Sequence, residues 1–161
     1  MMTLPLYIID AFTTRLFHGN PAAVCPLDAW PSDTLMQQIA AENNLSETCF
    51  VVPLSASPGA DFGAGAEFHL RWFTPKKEVA LCGHGTLAVA AALFHKSVGN
   101  PHACLTFHTL SGALTAARTG EGGTLNLRFG GKTAPTSGQP IDAAVTVTKL
   151  VRDAQQTFGD A

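Results

Sequence analysis

Charged side chains are scarce in this sequence. Asp, Glu, Lys and Arg make up 14% of the 161 residues, and the formal net charge is −2. A protein that binds nucleic acid by displacing counterions from phosphates needs a large basic surface, and the 10 Lys and Arg residues do not supply one. The composition therefore predicts no nucleic-acid partner.

Long apolar runs are missing as well. No segment reaches the roughly 18 to 20 consecutive apolar residues that cross a bilayer. The N-terminal stretch MMTLPLYIIDAF lacks the basic region and sustained apolar run of a secretory signal. We therefore expect a soluble, cytoplasmic protein that does not bind a membrane.

Cysteines are present but not in metal-binding or redox patterns. There is no C-x-x-C pair and no Cys/His cluster at the spacing of zinc ligands. The sequence thus predicts reduced thiols and no metal site. The four cysteines are Cys25, Cys49, Cys82 and Cys104.

Apolar residues, in contrast, form 46% of the chain, enough for one domain with a substantial core. The runs at 7–12 and 48–53 are typical of strands. Between them, PSDTLMQQIAAENN predicts a helix with Ser32 as its N-cap. Its apolar positions at helical spacing are Leu35, Met36, Ile39 and Ala40.

Strands outnumber helices in the rest of the chain. The segment EFHLRWFT alternates apolar and polar residues, which predicts a half-buried strand with Phe68, Leu70 and Trp72 inward and His69 at the surface. Three later segments, ACLTFHTL, GALTAAR and TLNLRF, are separated by turn residues. That pattern predicts an antiparallel meander.

The composition changes near residue 130. Residues 130–140 are rich in Gly, Pro, Ser and Thr, as in a linker. Apolar residues then recur at helical spacing, which predicts a terminal helix. Its stripe consists of Val147, Leu150, Val151, Ala154 and Phe158.

The segment LCGHGTLAVAAALFH predicts a helix that is apolar on every side and therefore buried. The start of such a helix offers free N–H groups and a positive dipole to an anion, and Gly83 and Gly85 allow close approach to the main chain. The same field would favour the thiolate of Cys82. His84 is a candidate proton carrier. The alternative is that Cys82 is inert core.

Two polar turns carry further candidates. Glu47, in NNLSETCF, lies between a helix end and a buried strand, where a carboxylate can be held partly out of water as a general acid or base. A plain solvated turn is the alternative. Asn20, in HGNPAAV, lies where a strand begins and could bind a substrate or simply stabilise a turn.

The stretches DAFTTRLFHGNPAAV, AAENNLSETCFVV, LRWFTPKKEVALCGHGTLAVAAALF and LTFHTLSGALTA together resemble the phenazine-biosynthesis-like (PhzF-like) family. The resemblance implies an α+β, diaminopimelate-epimerase-like lobe with a curved mixed or antiparallel sheet, or barrel, around one central helix. It also implies a cofactor-independent isomerase acting on a small amino- or hydroxy-acid carboxylate. Glu47 and His84 match the catalytic residues, and Cys82 a possible second base. The substrate-binding positions would be Asn20, Gly83, Gly85 and Thr86.

Family members of this kind have two lobes, and this sequence matches the first. We expect an N-terminal PhzF-like lobe at residues 1–130, and a linker and terminal helix at 131–161 that would lead toward a second lobe. A truncated gene would explain the length. A non-catalytic remnant or a small-carboxylate-binding domain is the alternative function. Because the two lobes are similar, two copies of one lobe could form a homodimer.

Overall fold

The computed structural model describes residues 2–13, 17–54, 66–96, 104–118, 125–129 and 156–158. Ten strands and two helices lie in this part of the chain. The helices are α1 (Asp33–Asn43) and α2 (Gly83–Lys96). The strands are β1 (Met2–Leu4), β2 (Tyr7–Ala11), β3 (Asn20–Pro26), β4 (Glu47–Pro53), β5 (Ala66–Phe73), β6 (Glu78–Val79), β7 (Cys104–Thr109), β8 (Gly112–Arg118), β9 (Leu125–Phe129) and β10 (Gln156–Phe158).

The main sheet is mixed and curls into a half-barrel. Its strand order is β2-β3-β4-β5-β7-β8-β9, with β6 paired to β5. The β3–β4 and β5–β7 pairs are parallel and the others are antiparallel. The α+β fold class and the meander of β7, β8 and β9 are therefore as predicted.

Helix α2 is the central helix of this half-barrel. Every residue from Leu87 to Phe94 is at most 3% exposed, so the helix is buried on all sides as its composition predicts. It packs against β2, β3, β4 and β9. No helix in the described part of the chain is long and apolar enough to cross a membrane.

Helix α1 covers the opposite face of the sheet. Ser32 is its N-cap, as predicted, and its Oγ accepts a hydrogen bond from the Leu35 N–H at 3.2 Å. Asn44 ends the helix in the left-handed conformation. Met36, Ile39 and Ala40, on one side of α1, pack into a second core. Between the two helices the sheet is buried on both faces.

The terminal helix predicted through Phe158 is wrong in its last residues. Gln156–Phe158 forms strand β10, which pairs antiparallel with β1 in the register Met2↔Phe158. Thr and Phe favour strands. The pairing with β1 is a contact between distant parts of the sequence, so the spacing of apolar residues within this segment could not predict it. Val147, Leu150, Val151 and Ala154, and the linker at 131–140, lie outside the described residues.

Candidate active site

The parallel register of β3 and β4 assembles the site. Ala22 pairs with Glu47, so both strands begin at the same edge of the sheet. The turn before β4 is fixed by a hydrogen bond from Asn43 Nδ2 to Thr48 Oγ1 at 3.2 Å. Helix α2 begins at this edge as well, which brings Glu47 and His84 together although 36 residues separate them in the sequence.

Glu47 and His84 are in direct contact. Glu47 Oε2 lies 2.7 Å from His84 Nε2, and the two side chains are only 16% and 13% exposed. The pair is close but not aligned as a hydrogen bond, because Glu47 Oε2 is buried and has no hydrogen-bond partner in the described part of the chain. A buried carboxylate oxygen without a donor is costly and calls for an explanation, and a catalytic role is one such explanation.

The imidazole of His84 also contacts a thiol. Cys82 Sγ lies 3.3 Å from His84 Nδ1, on the side of the ring away from Nε2. The N–H of Gly85, in the first turn of α2, donates to the same sulfur at 3.3 Å. His84 therefore contacts both Cys82 and Glu47, with a different ring nitrogen nearest to each.

The prediction that the helix start favours the Cys82 thiolate is wrong. Burial raises the pKa of Cys82 to about 12, which outweighs the lowering effect of the Gly85 N–H, and the nearby Glu47 carboxylate raises it further. Desolvation disfavours the charged form more strongly than one N–H dipole stabilises it. At neutral pH Cys82 is a thiol, whose hydrogen can be donated to His84 Nδ1.

Ser46 is a site residue that the sequence analysis missed. Its hydroxyl donates to Asn20 Oδ1 at 3.1 Å or to the Pro21 carbonyl at 3.2 Å, and its oxygen lies 3.3 Å from His84 Nε2. Since the single Ser46 hydrogen serves Asn20 or Pro21, its oxygen keeps acceptor capacity toward the His84 ring. Asn20 thus lies at the site, and its contact with a substrate stays a prediction. Its adjacency to Glu47 was the only available signal for Ser46.

The other predicted substrate-binding positions differ in role. Gly83, the first residue of α2, is partly exposed at the site. Thr86 is fully buried, and both its N–H and its hydroxyl donate to the Cys82 carbonyl, at 3.1 and 2.7 Å. Thr86 therefore holds the first helical turn and has no donor left for a ligand, which corrects the prediction for this residue.

Gly85 is needed for packing rather than for the approach of a ligand. A Cβ at Gly85 would lie 2.9 Å from Cys49 Sγ, 3.0 Å from Cys82 Sγ and 3.0 Å from Trp72 Cδ1. Its N–H is already donated to Cys82. The close approach that glycine allows here is that of two sulfurs and an indole ring, so the predicted substrate contact is wrong.

A buried layer lies beneath this site. Burial raises the pKa of Cys49 well above its ordinary value, with smaller effects from Cys82 and Glu47. The indole N–H of Trp72 is buried and has no hydrogen-bond partner among the described residues. Cys25, on the other face of the sheet, is also buried. Cys104, in contrast, is partly exposed.

The sequence is similar to known proteins over most of its length. The family described as "Phenazine biosynthesis-like protein" matches residues 9–153. A phenazine biosynthesis-like domain-containing protein of Bos taurus is 53% identical over 126 residues, which are 78% of this chain and 43% of the relative. An uncharacterized isomerase of Pseudomonas aeruginosa is 50% identical over 120 residues, 74% of this chain and 42% of the relative. The chain thus spans less than half the length of these relatives.

The fold agrees with this similarity. A PhzF-family phenazine biosynthesis protein of Enterococcus faecalis superposes with a TM-score of 0.65 and 44% identity, covering 78% of this chain and 44% of that protein. The half-barrel around α2 is therefore a recurring arrangement. On the family match and this structural similarity, the chain belongs to the phenazine biosynthesis-like (PhzF) family.

Proposed function

We propose that this chain carries half of the active site of a cofactor-independent isomerase that moves a proton between carbons of a small amino- or hydroxy-acid carboxylate. The observation that supports the proposal most directly is the buried Oε2 of Glu47, which has no hydrogen-bond partner among the described residues and lies beside His84 at the start of α2. A relative with 50% identity is named an isomerase, which agrees with this chemistry.

Glu47 would act as the general base. Its carboxylate takes a proton as the C–H bond breaks, and the electron pair passes into the adjacent conjugated or carboxylate group of the substrate. The protonated Glu47 then returns the proton to carbon, which restores the carboxylate. No residue in the described part of the chain donates a hydrogen bond to Glu47 Oε2, so its lone pairs are available for this step.

The substrate carboxylate would bind at the start of α2. Gly83 is partly exposed there, and the positive end of the helix dipole stabilises an anion. Asn20 would hold a polar substituent through its side-chain amide, fixed by Ser46. His84, which contacts both Glu47 and Cys82, would donate to the substrate or exchange its proton. Cys82 stays in the proposal only as a second base, which its raised pKa disfavours.

Deuterium exchange tests this function. The chain is incubated in deuterated buffer with candidate amino and hydroxy acids, and exchange at carbon is followed by NMR. Glu47→Gln should lower the exchange rate roughly 10²- to 10⁴-fold, the usual contribution of a general base. Glu67→Gln is the matched control, since Glu67 pairs with His108 at 2.6 Å in an exposed position. Exchange that survives Glu47→Gln unchanged would remove Glu47 from the mechanism.

A second candidate is a non-catalytic domain that binds small carboxylates at the partly exposed start of α2. The chain covers 43% of the Bos taurus relative, so groups supplied by the rest of such a protein are not among these residues. If this candidate is correct, small carboxylates raise the melting temperature by binding the native state, while no exchange at carbon occurs.

A further inference from the structure

Three different metal-binding side chains converge at the site. Glu47, Cys82 and His84 each offer one ligand atom, and these atoms all lie within 4.8 Å of one another. The three residues have no zinc-ligand spacing in the sequence, because Glu47 is in β4, Cys82 directly precedes α2 and His84 is in its first turn. The cluster exists only in the folded chain.

Glu47, Cys82 and His84 offer the ligand types of a zinc site with one coordination position left open. Zn²⁺ binds thiolate at about 2.3 Å, imidazole at about 2.0–2.1 Å and carboxylate at about 2.0–2.2 Å, and sites with three protein ligands keep a fourth position for water or substrate. The separation of 3.3 Å between Cys82 Sγ and His84 Nδ1 already suits two ligands on one such ion. A thiolate and a carboxylate together carry charge −2, which outweighs the roughly +0.5 charge of the helix start.

Binding of an ion would break few existing hydrogen bonds of these side chains. Glu47 Oε2 has no hydrogen-bond partner among the described residues, so it loses none when it turns from His84 Nε2 to a metal. One ring nitrogen of His84 becomes the ligand, and Nδ1 is the one next to the sulfur. Binding replaces the S–H bond of Cys82 by a bond from sulfur to zinc, and the proton goes to the solvent.

We propose that Glu47, Cys82 and His84 form a binding site for Zn²⁺, with the fourth position open to water or to a substrate carboxylate. An ion held there engages Glu47 and His84, and so blocks proton transfer at the same site. That consequence rests on the proposed function, whereas the binding of the ion does not.

Cobalt provides the direct probe. The full chain, reduced and freed of metal, is titrated with Co²⁺, and the absorption from thiolate-to-cobalt charge transfer is recorded before Zn²⁺ is added in competition. We expect one ion per chain, an absorption that is lost in Cys82→Ser and Cys82→Ala, and displacement by Zn²⁺. Loss of a residue that only supports a ligand weakens metal binding about 10- to 100-fold. Glu47→Gln and His84→Asn should therefore each weaken binding by about 100-fold or more.

Matched controls separate this site from other thiols and from surface carboxylates. Cys104→Ser and Glu67→Gln should bind cobalt like the unmodified chain, because Cys104 is on β7 and Glu67 pairs with His108. Circular dichroism establishes that each variant is folded. If Cys82→Ser does not fold, the cobalt affinity of Glu47→Gln tests the site instead, since glutamine keeps the shape of the side chain.

An absorption that persists without Cys82, or affinity that is unchanged in Glu47→Gln, would overturn the metal site. Absence of carbon exchange in the metal-free chain would count against the proposed function alone. Exchange that is present without metal and unaffected by saturating Zn²⁺ would overturn the proposed blocking effect.

Discussion

At the scale of single residues, His84 links the other polar groups of the site. Burial raises the pKa of Cys82 to about 12, so at neutral pH its hydrogen lies on sulfur, and this sulfur is 3.3 Å from His84 Nδ1. The other ring nitrogen, Nε2, lies 3.3 Å from Ser46 Oγ and 2.7 Å from Glu47 Oε2. One imidazole thus connects the thiol, the hydroxyl and the carboxylate of the site.

Gly85 gives a prediction at this scale. A methyl group at Gly85 would lie within 3.0 Å of two sulfurs and the Trp72 ring. Overpacking of this kind costs about 1–3 kcal/mol, whereas alanine is better than glycine in a helix by only about 1 kcal/mol. Packing therefore wins, and Gly85→Ala should lower the free energy of unfolding, as measured by urea denaturation.

A double variant identifies the cause. Cys49→Ala removes the sulfur that lies 2.9 Å from the added methyl group. Gly85→Ala should therefore cost less in the Cys49→Ala background than in the unmodified chain. An equal cost in both backgrounds, or a gain in stability from Gly85→Ala alone, would contradict this account of the packing.

At the scale of elements, β3 joins the two cores. Ala22 and Val24 face the core around α2, and Ala23 and Cys25 face the core beneath α1. A strand buried on both faces is expected to be apolar throughout, and NPAAVCP is nearly so. Because β3 also begins at Asn20, packing on both of its faces holds the end of the sheet where the site lies.

The buried thiol of Cys25 makes stability depend on pH. Burial raises the pKa of Cys25 from 9.0 to about 12. Between those values the unfolded chain loses the proton while the folded chain keeps it, so the contribution of Cys25 to stability is full below pH 9 and falls as the pH rises toward 12, by at most about 1.4 kcal/mol per pH unit. Burial also raises the pKa values of Cys49 and Cys82, so these two thiols add to the fall. Urea denaturation from pH 7 to 10 should show this fall.

Cys25→Ala isolates the contribution of this thiol. The variant should lose stability less steeply above pH 9 than the unmodified chain does, whatever its stability at neutral pH. Cys104→Ala, at a partly exposed position, should leave the slope nearly unchanged. Parallel curves for Cys25→Ala and the unmodified chain would show that Cys25 is not protected by the α1 core.

The helices and strands were easier to predict from the sequence than the contacts between them. The helical spacing of Met36 and Ile39, and the all-round apolar character of 87–94, depend only on local periods. The contact of Glu47 with His84 depends on the parallel register of β3 and β4, which no local period encodes. The burial of Cys82, which reverses the expected direction of its pKa shift, likewise follows from tertiary packing.

At the scale of the whole molecule, the site lies at an edge beside exposed apolar side chains. A hydrogen bond of 2.7 Å from Ser111 Oγ to the Ala80 carbonyl brings the β7–β8 turn against the segment that precedes α2. Leu81 and Leu110, in these two segments, are 49% and 75% exposed. We call this pair the leucine rim. It lies next to Cys82 in a chain that spans less than half of its relatives.

We propose that two copies of the chain pair through the leucine rim about a twofold axis, which would place two sets of Glu47, Cys82 and His84 on either side of one cleft. The similarity of the two lobes implied by the family resemblance favours this geometry. A specific dimer has to bury about 1,200–2,000 Å² in total, so the two leucines would form the apolar centre of a larger contact. Sedimentation at micromolar concentration should therefore give a discrete dimer, and Leu110→Asp should give a monomer.

Leu54→Asp is the matched control. Leu54 is 46% exposed, but it follows the C-terminal end of β4, whereas Glu47 begins that strand. A monodisperse monomer in the unmodified chain, or equal effects of the two substitutions, would contradict pairing at the rim.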